Sequence, residues 1–201
     1  MATVKPRHRS DFLAGTQVLL AIIGVMWVSE IVDTAAGNQL DQYGIEPRNI
    51  DALPGIVSSP FLHAGFGHLI GNTIPLLVMG LAIALAGARR LVIVTVIVGL
   101  IAGLGTWLTA RSGTDTIGAS GIVFGYATYL MARFFFTRRL LDLALGVLIL
   151  AVWGVSLLAS LAPTPGVSWQ AHLFGAIGGV VAARYVGRET SRDPSAALAR
   201  T

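Results

Sequence analysis

Six long apolar stretches follow one another along the chain, and each is close to the length that crosses a lipid bilayer as a helix. Apolar residues make up 54% of the 201-residue sequence and charged residues only 12%, which is about half the charged fraction of a soluble domain. The sequence therefore predicts an all-α integral membrane protein with six membrane-spanning helices, at residues 12–31, 66–88, 91–110, 117–135, 140–162 and 168–184.

Little of the chain remains outside these stretches. We expect an N-terminal tail at residues 1–11, one six-helix membrane domain at residues 12–187, and a disordered polar tail at residues 188–201. The first stretch follows a basic prefix, as in a secretory signal, but its apolar run is longer than the core of such a signal. We therefore expect this helix to be retained.

The Lys and Arg residues indicate how the helices are oriented. Of the fourteen, only Arg48 and Arg111 fall on the outer side if the N-terminus is cytoplasmic, and the other twelve fall on the inner side. Cytoplasmic segments of membrane proteins are enriched in Lys and Arg, so both termini are expected in the cytoplasm. The short basic N-terminus suits a multi-pass protein of a bacterial inner membrane. Because the positive charge follows the topology, it does not indicate nucleic-acid binding.

Four polar side chains are predicted to lie in one shallow layer near the outer face. His68 and Asn72 fall within about two turns of the outer start of the second helix. Ser120 and His172 each fall about one turn into the fourth and sixth helices. Polar groups inside a membrane are costly and usually face a bundle interior or a water-filled cavity. Their common depth predicts a functional site.

A serine and a histidine on separate helices at one depth indicate nucleophilic chemistry. A serine hydroxyl is a weak nucleophile until a base takes its proton, and histidine is the usual base near neutral pH. Ser120 and His172 are therefore the candidate catalytic pair. G-x-x-x-G pairs would let their helices approach closely, although a simple packing contact explains them equally well. These glycines are Gly121 and Gly125 on the fourth helix and Gly175 and Gly179 on the sixth.

Acyl transfer through a tetrahedral intermediate also needs hydrogen-bond donors for the developing oxyanion. His68 and Asn72 are spaced i, i+4 on one helix face and both can donate. The backbone N–H of Ser120 lies at a helix start, where free N–H groups favour an anion. Gly118 and Gly121 leave room for a substrate to approach the backbone.

The sequence carries three motifs in a fixed order: HAGFGHLIGN at 63–72, GASG at 118–121 and AHLFGAIGG at 171–179. With this order and topology, it resembles the rhomboid intramembrane serine proteases over nearly its entire length. The resemblance implies a Ser120–His172 dyad without a carboxylate, and His68, Asn72 and the Ser120 N–H as oxyanion donors. It also implies His63 as structural support, transmembrane protein substrates within the bilayer, and neither metal nor organic cofactor.

Two positions depart from the pattern of many rhomboid proteases. The long outer loop lacks their Trp-Arg pair, and only Arg48 stands nearby. Phe124 occupies a position where some members have a tyrosine that packs on the catalytic histidine. Asp115 invites assignment as the third member of a triad, but it lies in a short loop five residues before Ser120, so we interpret it as loop surface.

Three other functions compete with the protease hypothesis. A rhomboid-like protein without catalytic activity could bind membrane proteins, although such proteins typically lose the serine or the histidine. The three outer histidines could bind zinc, but no HExxH motif occurs. A transporter would be expected to carry charged residues in mid-membrane, and the centres of the six stretches carry none.

Overall fold

The computed structural model describes residues 7–192, with side chains described for residues 9–187. This part of the chain is helical and forms no named β-strand. Short 3₁₀ turns lie at Asp41–Tyr43 and Ser59–Phe61. The helices are α1 (Arg7–Ala35), α2 (Gly55–Ser58), α3 (Phe66–Ala84), α4 (Ala88–Thr109), α5 (Ser120–Thr137), α6 (Leu140–Ala159) and α7 (Trp169–Arg192).

Six of these helices correspond to the six predicted stretches, and α2 is an additional single turn in the loop of residues 36–65, which the sequence predicts as the long outer loop. Among the described residues, α1, α3, α4 and α6 are long and apolar enough to cross a membrane. The other two long helices, α5 and α7, pack closely on each other inside the bundle. Their sequences are less apolar because Arg133 lies in α5 and Gln170, His172 and Arg184 lie in α7.

The helix bounds differ from the predicted stretches at several points. Helix α1 begins at Arg7, within residues 1–11, and α7 continues to Arg192, within residues 188–201. The remaining tail residues, 1–6 and 193–201, lie outside the described part of the chain. Helix α3 ends at Ala84 and α4 begins at Ala88, each earlier than predicted, and Gly87 directly before α4 has a φ of 93°.

The start of α5 also differs from the prediction. Ser120 is the first residue of α5 rather than a residue one turn into it. Gly118 has a φ of 111° and its N–H donates to the Ser59 carbonyl at 2.8 Å. This conformation is not helical and strongly favours glycine. It places Ser120, which is half-buried, at the N-terminal end of α5.

Helix α7 packs between α4 and α5, and glycines determine how closely it approaches α5. A Cβ atom at Gly175 would clash with the carbonyl of Gly121, and one at Gly179 would clash with the carbonyl of Gly125. Thr128 adds a hydrogen bond across the contact, donating to the Ala176 carbonyl at 2.8 Å. The two G-x-x-x-G pairs therefore face each other and bring the two backbones into direct contact.

Polar contacts fasten the long outer loop to the C-terminal end of α4 and to the segment that follows it. Ile45 and Thr116 exchange backbone hydrogen bonds of 2.9 and 3.0 Å. Arg48 donates to the Leu108 carbonyl at 3.0 Å and to Ser112 Oγ at 2.5 Å. Trp107 Nε1 donates to the Asn49 carbonyl at 2.9 Å. The loop is therefore fixed beside the segment that leads into Ser120.

Candidate active site

Ser120 and His172 lie together although 52 positions separate them in the chain. Ser120 Oγ is 2.9 Å from His172 Nε2. Ser120 begins α5, and His172 lies in the first turn of α7. The facing glycines described above allow this distance, because bulkier side chains would hold α5 and α7 apart.

Two contacts hold the imidazole of His172 in place. Its Nδ1 lies 2.8 Å from the carbonyl oxygen of Ser160, just beyond the end of α6. A carbonyl only accepts, so Nδ1 carries the proton and the neutral ring presents Nε2 as an acceptor to the Ser120 hydroxyl. The ring of Phe124 stacks on the imidazole, with centroids 4.2 Å apart. His172 itself is 5% exposed.

The contact between the Ser160 carbonyl and His172 could not be predicted from the sequence. Every residue carries a carbonyl, so no residue type signals this bond in a sequence. The resemblance to the rhomboid proteases implies the stacked ring, because Phe124 occupies the position at which some members have a tyrosine.

His68, Asn72 and Gly118 line the space on the other side of Ser120. His68 Nδ1 accepts a hydrogen bond from the Ala64 N–H at 3.4 Å, so the neutral ring carries its proton on Nε2. Asn72 Nδ2 donates to the His68 carbonyl at 3.2 Å, which leaves its second amide proton available. A Cβ at Gly118 would lie 2.8 Å from His68 Nε2 and 3.6 Å from Asn72 Nδ2. Both donors therefore converge on the bare backbone of Gly118.

His63 is buried behind this layer, with 1% of its surface exposed. Its Nε2 accepts a hydrogen bond from the Ala119 N–H at 3.4 Å, and its ring meets that of His68 edge-on at 5.1 Å. Burial, and to a smaller extent the neighbouring His68, lower the pKa of His63 to about 4. The neutral ring contacts the residue before Ser120 and not Ser120 itself.

A cavity of about 460 Å³ opens onto both groups of side chains. Trp153 and Leu157 of α6 form its opposite wall. His68 also borders a wider cleft of about 730 Å³ between residues 110–117 and 163–170. The cleft and the cavity share His68, so the space beside Ser120 continues into the cleft.

Asp115 does not join Ser120 and His172. Its side chain is exposed and borders the outer cleft, and the Nδ1 of His172 faces the Ser160 carbonyl instead. Within residues 7–192, no group of three or more His, Asp or Glu side chains is arranged to hold a metal ion.

Comparison with known proteins agrees with the resemblance in the sequence. The rhomboid domain family matches residues 52–189. The chain is 41% identical over 189 residues to the uncharacterized protein Rv1337 of Mycobacterium tuberculosis, covering 90% of this chain and 79% of that protein. An uncharacterized protein of Mycobacterium leprae, ML1171, is 41% identical over 184 residues, covering 88% of this chain and 73% of that protein.

A more distant relative carries a functional name. The Bacillus subtilis protein named "Putative rhomboid protease YdcA" is 28% identical over 125 residues, covering 62% of each chain. With the family match extending over more than half of the sequence, the chain belongs to the rhomboid family.

Proposed function

We propose that the protein is an intramembrane serine endopeptidase that uses Ser120 and His172 as a catalytic dyad. The observation that carries the proposal is the 2.9 Å contact between Ser120 Oγ and His172 Nε2, with the imidazole in the tautomer that accepts the hydroxyl proton. Membership of the rhomboid family supports the same assignment.

The dyad would act in two steps. His172 Nε2 removes the proton from Ser120 as Oγ attacks the carbonyl carbon of the scissile peptide bond, and the tetrahedral intermediate then collapses as the imidazolium protonates the leaving amine. Water then attacks the acyl-enzyme, with His172 again acting as the base. The cavity beside the dyad would admit both the peptide and the water.

The oxyanion of each tetrahedral intermediate would lie next to Gly118. His68 Nε2 and the free amide proton of Asn72 converge there, and the backbone N–H of Ser120 is at the start of α5. Donors fixed in advance stabilise the developing charge without having to reorganise. His63, Gly118, Gly121, Gly125, Gly175 and Gly179 support this arrangement.

The membrane setting defines the substrate class. We propose six membrane-spanning helices within a domain of residues 12–187, with both termini in the cytoplasm of a bacterial cell, because twelve of the fourteen Lys and Arg residues would then lie inside. The dyad would lie near the outer face, where α5 and α7 begin. Transmembrane segments of other proteins, or residues beside them, are then the expected substrates.

A fluorophosphonate serine-hydrolase probe tests the proposal on the purified protein in lipid. We expect the wild type to be labelled, and Ser120→Ala and His172→Ala to lose labelling while remaining folded. Ser156→Ala is the matched control, because this second serine borders the same cavity without a histidine partner. If the folded wild type neither labels nor cleaves a model transmembrane substrate, the dyad assignment is wrong and the catalytically silent binding protein becomes the better hypothesis.

A further inference from the structure

The contact between His172 and Ser160 joins the catalytic base to the end of a different helix. Helix α6 spans Leu140–Ala159, and Ser160 follows it in an αR conformation with ψ of −3°. The last carbonyls of a helix have no intrahelical donor and carry its partial negative charge. The Ser160 carbonyl, 2.8 Å from His172 Nδ1, belongs to this end.

Ser160 is held firmly at this position. Its N–H donates to the Ser156 carbonyl at 3.0 Å, and its hydroxyl donates to the same carbonyl at 2.8 Å. Both donors bind back along α6, which leaves the carbonyl oriented away from the helix and toward His172.

The charge on His172 changes during the reaction, and this gives the contact a chemical role. When Nε2 takes the serine proton, the ring becomes an imidazolium with a proton on each nitrogen. A hydrogen bond to a charged donor is stronger than a neutral one, and a helix C-terminus favours a cation nearby. Phe124 lies on one face of the ring and His68 is the nearby titratable group on α3, so neither supplies negative charge.

We propose that the C-terminal end of α6, through the Ser160 carbonyl, does for His172 what a carboxylate does in a Ser-His-Asp triad. It accepts the Nδ1 proton, fixes the tautomer that presents Nε2 to Ser120, and stabilises the imidazolium. Ser160 is thus a positioning residue that acts through its backbone. This inference rests on the proposed protease function, but its first prediction concerns the resting protein.

The tautomer can be read without any reaction. The chain has four histidines, which can be labelled with ¹⁵N for NMR in lipid. Each histidine is replaced by glutamine in a separate sample, and the signal that disappears is assigned to the replaced residue. We expect His172 to carry its proton on Nδ1, in the wild type and equally in Ser160→Ala, which keeps the carbonyl. A proton on Nε2 in the wild type, or a changed tautomer in Ser160→Ala, would overturn the inference.

A backbone substitution then tests the catalytic role with every side chain unchanged. Replacing Leu161 by its α-hydroxy acid turns the Ser160–Leu161 amide into an ester, whose carbonyl is a weaker acceptor. The same change at Ala162 is the matched control. Each removes one N–H that donates at 3.2 Å, to Leu158 and Ala159 respectively, but only the first alters the Ser160 carbonyl. We expect fluorophosphonate labelling to slow about tenfold for the first ester and less than about twofold for the second.

Equal slowing by the two esters would show a structural effect and overturn the inference. The result also separates this inference from the proposed function. If His172 carries its proton on Nδ1 but Ser120 does not label in any form of the folded protein, the contact stands and the protease assignment fails. If Ser120 labels but the tautomer is reversed, the protease assignment stands and the role of Ser160 fails.

Discussion

The ring of Phe124 lies parallel to the imidazole of His172, with the ring centroids 4.2 Å apart and the planes inclined by only 3°. Phe124 is one helical turn beyond Ser120 on α5, so one helix supplies both the proposed nucleophile and the surface on which its base rests. Stacking fixes the tilt of the imidazole, and the Ser160 hydrogen bond fixes its rotation about the ring normal.

Replacing Phe124 by leucine is therefore expected to slow catalysis while the protein still folds, at a cost of about 1 kcal/mol for the buried ring. Aromatic pairs contribute about 0.5–1.5 kcal/mol beyond their buried area, and the loss predicts a decrease in labelling rate of about 2- to 12-fold. Phe124→Tyr is the matched control, because it keeps the ring and should stay closer to the wild type than Phe124→Leu. The measurement is the second-order rate constant of fluorophosphonate labelling. Equal rates for Phe124→Leu and the wild type would contradict a positioning role for the ring.

Asn72→Ala should reduce the rate of cleavage by about 10²–10³ if the side chain supplies one oxyanion donor. The free energy of unfolding should change much less, because the amide donates only to the His68 carbonyl of its own helix among the contacts described. Steady-state cleavage of a model transmembrane substrate measures the first effect, and thermal unfolding measures the second.

The matched control for Asn72 is the next residue on α3. Thr73→Ala removes a polar side chain at nearly the same depth, but Thr73 accepts a hydrogen bond from Trp27 of α1 at 3.2 Å and does not border the catalytic cavity. We expect Thr73→Ala to retain activity. A similar loss of rate in both variants would indicate a packing effect on α3 and not a lost oxyanion donor.

The sequence predicted the helical class and the layer of polar residues because both follow from lengths counted along the chain. Apolar runs give the helices, and a shared depth from the outer face places His68, Asn72, Ser120 and His172 near one another. The match to the rhomboid domain confirms the family. The roles of the individual side chains stay predictions that the experiments above test.

Features that depend on backbone geometry could not be predicted. Hydropathy extended the fourth stretch through residues 117–119, whereas the φ of Gly118 delays α5 to Ser120. The Ser160 carbonyl leaves no trace in residue type. The hydrogen bonds of Arg48 with the end of α4 join residues 60 and 64 positions apart, and no local period relates such positions.

Gly175→Ala should destabilise the bundle. A Cβ at this position would clash with the carbonyl of Gly121, which belongs to the backbone and cannot rotate away. Overpacking of this kind costs about 1–3 kcal/mol, and it would also separate Ser120 from His172, so labelling should fall as well. Unfolding in mixed detergent measures the change in free energy.

Gly24→Ala is the control for Gly175. Gly24 lies on the exposed face of α1, where an added Cβ would meet nothing within 4 Å. Since alanine also favours the helix, this variant should be as stable as the wild type or slightly more stable. Equal destabilisation by the two substitutions would be inconsistent with direct backbone contact between α5 and α7.

Arg48→Ala should loosen the long outer loop. Arg48 has a φ of 62°, a left-handed conformation that is unfavourable for a residue with a side chain, and its two side-chain hydrogen bonds to Leu108 and Ser112 hold it there. Losing one or two such bonds predicts amide hydrogen exchange about tenfold faster over residues 45–55. Arg111→Ala, which removes the other outer-side arginine, should leave exchange in this segment unchanged. Unchanged exchange in Arg48→Ala would show that the Ile45–Thr116 and Trp107–Asn49 contacts hold the loop without the Arg48 side chain.

The buried imidazole of His63 should make the stability of the protein depend on pH. Its pKa of about 4 in the folded protein lies below the ordinary value of 6.5, so between these values the unfolded chain binds a proton that the folded protein does not. The stabilisation from the neutral ring is therefore complete above about pH 6.5 and is lost as the pH falls toward 4. The full difference is on the order of 3 kcal/mol.

His63→Gln isolates this effect, because glutamine does not titrate and its carbonyl oxygen can still accept the Ala119 N–H that His63 Nε2 accepts at 3.4 Å. The other histidines are present in both proteins, so their titration cancels in the comparison apart from the smaller coupling of His68 to His63. We expect the free energy of unfolding of the wild type to fall faster than that of His63→Gln between pH 6.5 and 4, so that any advantage of the wild type at pH 7.5 shrinks or reverses at pH 4.5. Parallel pH curves for the two proteins would mean that His63 binds a proton as easily when folded as when unfolded, and that its burial does not govern its charge.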